Sequence, residues 1–100
     1  AIASFDKSLQ FKPDDHQVWN NRGNALFNLG IFDEAIASYD KALQLKPDFH
    51  EAWNNRGIAL GNLGRLDEAI ASFDKALQLK PDEEIYINNR NEALKEKENR

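Results

Sequence analysis

The chain has 100 residues, of which 30% are charged and 41% hydrophobic, with no cysteine and a net charge of −4. That composition describes one small soluble globular domain and excludes disulfides, cysteine nucleophiles and thiolate metal sites. The acidic balance lacks the basic footprint of a duplex-binding protein, and no apolar run approaches the ~20 residues that span a bilayer, so neither nucleic acid nor membrane is an expected partner.

Residues 1–12 carry Ile2, Phe5, Leu9 and Phe11 at a spacing that predicts an amphipathic helix. Pro13 ends it, and Asp14 or Asp15 is placed to cap the next. That next helix is predicted over 15–29, with Val18, Trp19, Gly23, Leu26 and Leu29 as its stripe. A glycine inside a helix costs about 1 kcal/mol relative to alanine. Gly23 therefore implies that another helix approaches closely there, while Gly30 reads as a stop. A further helix is predicted over 33–45, opening at Asp33. Its apolar face is Ala35, Ile36, Tyr39, Ala42, Leu43 and Leu45, and the Asp-Glu pairs at such starts read as caps that favour the helix dipole. After Pro47-Asp48 the unit returns, with helices predicted at 49–62 and 67–79 and Gly64 between them. A last helix is predicted over 83–98, where Ile87 replaces tryptophan and Asn91 replaces glycine. Its charged end, from Lys95 to Arg100, reads as a solvating terminus.

The repetition is the dominant signal. Trp19-Asn20-Asn21-Arg22-Gly23 returns as Trp53-Asn54-Asn55-Arg56-Gly57, and 26 of 34 positions are identical between residues 16–49 and 50–83. A fixed period of this length marks a repeat array. The chain contains no methionine and opens inside a helical pattern, so it is expected to be a piece of a longer array.

Trp19, Arg22, Gly23, Leu26, Ala35, Tyr39, Ala42 and Pro47, matched by Trp53, Arg56, Gly57, Leu60, Ala69, Phe73, Ala76 and Pro81, resemble the tetratricopeptide repeat. The resemblance implies an all-α fold of helix-turn-helix repeats stacked in a right-handed superhelical solenoid. The divisions are a half repeat at 1–12, full repeats at 16–49 and 50–83, and a solvating helix at 84–100. It implies a protein-interaction scaffold that holds a peptide or partner protein in a concave groove lined by the first helix of each repeat. It implies no catalysis and no cofactor, and a cytoplasmic setting is expected. A structural spacer that stacks end to end and a regulatory arm of a larger enzyme are the alternative readings.

The family usually carries leucine where Arg22, Arg56 and Arg90 stand. Here the aliphatic stem is expected to pack while the guanidinium reaches the edge toward an acidic partner. One subclass of the family grips acidic tails of chaperones through a clamp of basic and amide side chains. Only Asn24 and Asn55 match it; Asn20, Ile85 and Asn89 replace its cations, so that activity is not implied.

Helical spacing collects Gln17, Asn20, Asn24, Phe27 and Asn28, then Glu51, Asn54, Ile58, Gly61 and Asn62, then Ile85, Asn88, Glu92 and Lys95, on the faces directed to the groove by the resemblance. Side-chain amides both donate and accept, so the ladder Asn20, Asn54 and Asn88 is the expected contact to a peptide backbone. Phe27 and Ile58, with room left by Gly61, are expected to form an apolar pocket. Ile2, Phe5 and Leu9 form an edge expected to meet further repeats or a second copy. His16 and His50 sit on separate helices and are not expected to bind metal. Trp19 and Trp53 read as core, and Ser4, Ser38 and Ser72 have no base beside them in sequence.

Overall fold

A computed structural model describes residues 2–100. Its six helices are α1 (Ile2–Phe11), α2 (His16–Asn28), α3 (Phe32–Leu45), α4 (His50–Asn62), α5 (Leu66–Leu79) and α6 (Glu84–Glu98). There is no strand among the described residues. Each helix packs on the next, and α2, α4 and α6 also touch in sequence, so the helices form a stack of 44 × 26 × 18 Å.

The helix ends follow the local chemistry. Asp15 caps α2 by accepting hydrogen bonds from the backbone N–H groups of Gln17 and Val18. Asp33 and Asp67 lie inside the first turns of α3 and α5 rather than at the caps. Ile31 and Arg65 hold those positions without a side-chain bond. The acidic residues still favour the positive end of the helix dipole. Gly30 and Gly64 adopt φ of 79° and 76°. The N–H of Gly30 bonds to Phe27 O and that of Ile31 to Leu26 O, which closes α2 and turns the chain into α3.

Two apolar clusters hold the stack. The larger contains Leu26, Ala35, Ile36, Tyr39, Ala59, Leu60, Ala69, Phe73 and Ala93. The smaller gathers Ala42, Leu43, Phe49 and Ala52 against Trp19 and Trp53. Each indole is half-buried against this cluster, and its Nε1–H donates to the turn before it: Trp19 to Pro13 O and Trp53 to Pro47 O, both at 2.9 Å. Gly23 is needed for close approach, because a Cβ there would lie 2.5 Å from the Tyr39 ring. Gly57 stands in the same relation to Phe73.

The periodic arginines couple consecutive units. Arg22 Nε donates to Asp6 on α1 at 2.6 Å, and its Nη1 donates to Ser38 on α3 at 2.7 Å. Arg56 repeats this with Asp40 and Ser72 at 2.7 and 2.6 Å, and Arg90 pairs with Asp74. The guanidinium carbons of Arg22 and Arg56 each lie 5.9 Å from the ring centre of Trp19 and Trp53 respectively. The guanidinium thus reaches an acidic partner and also a buried hydroxyl on the following helix.

Candidate functional site

The face of interest is formed by α2, α4 and α6, and it is built by the same spacing in each helix. Gln17, Asn28, Glu51, Asn62 and Asn88 are exposed on these helices. Asn20 and Asn54 are not: they are 5% and 7% exposed. Asn55 Nδ2 donates to Asn20 Oδ1 at 3.2 Å, and Asn89 Nδ2 donates to Asn54 Oδ1 at 2.9 Å. The expected ladder of three equivalent amides is therefore two inter-helix clasps and one exposed residue, Asn88. The cause is close packing of α2, α4 and α6, which draws an amide on one helix against an amide on the next.

Asn24 is half-buried, and its Oδ1 accepts from the Tyr39 hydroxyl at 2.7 Å. Burial pushes the Tyr39 hydroxyl above its ordinary range. Phe27 packs on the larger cluster and meets Phe32 edge-to-face, with ring centres 5.2 Å apart. Phe27 is not in the wall of the cavity that Ile58 lines. The cavity that does form, of about 420 Å³, lies between α4 and α6, with Ile58, Gly61, Leu66, Phe73 and Ala93 in its walls. Asn62, Asn89, Glu92, Glu96 and Arg100 complete its lining.

The residues expected at an open edge are largely covered. Leu9 is buried, Ile2 packs on the larger cluster and Phe5 is half-buried. The stripe of α1 serves to dock it on α2, and the apolar side chain left in solvent is Phe11, 83% exposed. His50 Nδ1 lies 2.7 Å from the Tyr86 hydroxyl, and the described residues contain no group of acidic and histidine side chains able to hold a metal.

The sequence pattern of the tetratricopeptide repeat matches residues 16–49 and 50–83, more than half of the chain. The chain belongs to the tetratricopeptide repeat family. A second pattern, the protein prenyltransferase alpha subunit repeat, matches residues 1–29. Solved tetratricopeptide domains superpose closely. The first such domain of Spaghetti (RPAP3), bound to the HSP90 peptide SRMEEVD, is 26% identical with a TM-score of 0.91, over 94% of this chain and 75% of that one. The first domain of human RPAP3 is 29% identical with a TM-score of 0.90, over 99% and 80%. The Arabidopsis OM64 domain is 25% identical with a TM-score of 0.92, over 96% and 79%. No curated protein matches the chain significantly.

Within the tetratricopeptide frame, α5 and α6 add Leu66, Phe73, Ala93 and Glu92 to the cavity, a grouping that helical spacing alone does not reveal. The signal was the exchange of Phe27 for Gly61 between otherwise matching copies. The arginine clasps had a signal as well: Asp and Ser stand 16 residues to either side of each shared arginine. The fold and its relatives make the chain a protein-interaction repeat module, and no helix among the described residues is long and apolar enough to cross a membrane.

Proposed function

We propose that this module holds an extended peptide segment of a partner protein along the face of α2, α4 and α6. The observation that carries the reading is where the two copies differ. Of the eight differences between the copies, three, Gln17/Glu51, Asn24/Ile58 and Phe27/Gly61, fall on one face, and a cavity lies beside Gly61. The likeness to a domain that holds the peptide SRMEEVD supports the same use of the face.

The ligand differs in charge from that peptide. Asn20 and Asn89, which stand where the chaperone-binding subclass has cations, are engaged in amide clasps, and Ile85 is 60% exposed. Exposed Glu51 and Glu92 make the face unfavourable to an acidic tail and favourable to an uncharged or basic one. End-to-end stacking is the weaker alternative. Asn91 occupies the place where Gly23 and Gly57 admit Tyr39 and Phe73, so Phe5 of a second copy would find that place filled.

A displayed library of random decapeptides tests this, selected on the chain and on a Gln17→Lys/Glu51→Lys/Asn88→Lys variant checked for folding by circular dichroism. Peptides enriched by the first, poor in Asp and Glu, and lost by the variant are expected. Equal enrichment by both, or none by either, would remove the face from consideration.

A further inference from the structure

Resting on that reading, we propose that the cavity at Gly61 seats an aromatic side chain of the bound peptide, on a segment with a cationic neighbour. The protein supplies its own template for this occupant. One repeat earlier, the position of Gly61 holds Phe27. That phenyl ring lies half-buried between α2 and α3 against the larger apolar cluster, edge-on to Phe32. The frame around Gly61 is the same frame shifted by one repeat: Leu66 stands for Phe32, Phe73 for Tyr39 and Ala93 for Ala59. The side chains of that frame change, and the ring itself is missing. A Cβ built on Gly61 meets nothing within 4 Å, and a cavity of about 420 Å³ opens there.

The wall chemistry selects the ligand. In the first repeat, Asn24 and Tyr39 place an amide and a hydroxyl in the frame; in the second, Ile58 and Phe73 replace both and leave an apolar wall. The apolar part of the lining, Ile58, Leu66, Phe73 and Ala93, favours displacement of water by an apolar side chain, while Asn62, Asn89, Glu92, Glu96 and Arg100 make up the polar part. A planar ring also meets Phe73, where offset or edge-to-face contact adds to burial. At the rim, Glu96 is paired with Arg100 at 3.0 Å. Glu92 has no ion-pair or hydrogen-bond partner among the described residues, so its carboxylate is available to a lysine or arginine beside the ring. This is the opposite charge preference to that of the peptide SRMEEVD.

Amide chemical-shift titration of the isotope-labelled chain provides the test. The probes are acetyl-Lys-Phe-Lys-amide, its alanine counterpart acetyl-Lys-Ala-Lys-amide, and acetyl-Glu-Phe-Glu-amide. Saturable shifts at Ile58, Gly61, Asn62 and Ala93 are expected with the first probe. Binding should be about tenfold weaker or worse for the other two, since a buried aromatic anchor and a complementary charge each carry that much. Gly61→Phe, which copies the first repeat and meets open space, should abolish the cavity shifts, and Gly61→Ala should keep them. Equal shifts with the alanine probe, or shifts that survive Gly61→Phe, would overturn the assignment. Shifts confined to Gln17, Glu51 and Asn88 would overturn the cavity while leaving the peptide-binding face standing; no shift with any probe would count against both. Cavity shifts that grow with protein concentration alone, and vanish in Phe11→Ala, would assign the seat to a second copy instead.

Discussion

The hydroxyl of Tyr39 donates a 2.7 Å hydrogen bond to Oδ1 of Asn24, and one repeat later both partners are changed together, to Phe73 and Ile58. A buried hydroxyl facing an amide and a phenyl ring facing an aliphatic side chain are both satisfied; the mixed combinations are not. Asn24→Ile alone should therefore cost about 1–3 kcal/mol, because the Tyr39 hydroxyl is left buried without its partner. The double variant Asn24→Ile/Tyr39→Phe should return most of that loss. Urea unfolding of the four proteins of the cycle measures it, and additive losses in the double variant would refute the coupling.

A similar argument applies to Arg56, which joins Asp40 on α3 to Ser72 on α5. Its ion pair with Asp40 is partly exposed and contributes little by itself. The Ser72 hydroxyl is fully buried, so Arg56→Leu should destabilise by about 1–3 kcal/mol despite restoring the usual family residue. Arg56→Lys should recover little, since a single ammonium cannot serve two acceptors in the fork geometry of a guanidinium. Arg56→Leu/Ser72→Ala should be more stable than Arg56→Leu. A fully stable Arg56→Leu protein would instead mean that only the aliphatic stem matters.

The fold was readable because its determinants are local and recur. Gly30 and Gly64 stop helices, Pro13, Pro47 and Pro81 mark the turns between units, and the apolar stripes repeat at the same offsets. The face of α2 and α4 was readable as a face, but the depth of each side chain was not. Asn20 and Asn54 flank the stripe, where a small change in helix approach decides between solvent and clasp. Helical spacing puts Asn24 on the groove face, but its partner, Tyr39, lies on the following helix and carries no local signal. The joint change of Asn24 with Tyr39 was the available clue. Phe27 and Ile58 occupy neighbouring units, and proximity across units depends on packing that periodicity does not encode.

Glycine substitutions should show the contrast between packing and propensity. Gly61→Ala adds a methyl group in open space on a helix and should stabilise by about 0.5–1 kcal/mol through helix propensity. Gly23→Ala gains the same propensity but drives a Cβ to 2.5 Å from the Tyr39 ring. Overpacking of this kind costs about 1–3 kcal/mol, so the net sign should be unfavourable. Thermal melts of the two variants would decide the matter, and two shifts of the same sign would contradict it.

The two tyrosines should govern behaviour in alkali. Tyr86 is buried, and burial, with Glu51 and Glu83 adding to it, pushes its hydroxyl from 10.0 up to about 12. Tyr39 is moved in the same direction by burial. A raised value in the folded state means that the folded protein holds the proton more tightly than the unfolded chain. The corresponding stability is fully present below about pH 10 and is lost as the pH rises through the folded value. Urea midpoints should therefore hold steady to about pH 10 and then fall toward pH 12, together with the rise in tyrosinate absorbance. Tyr86→Phe and Tyr39→Phe should each flatten part of that fall. A decline equally steep in the Tyr39→Phe/Tyr86→Phe double variant would refute the assignment to the tyrosines.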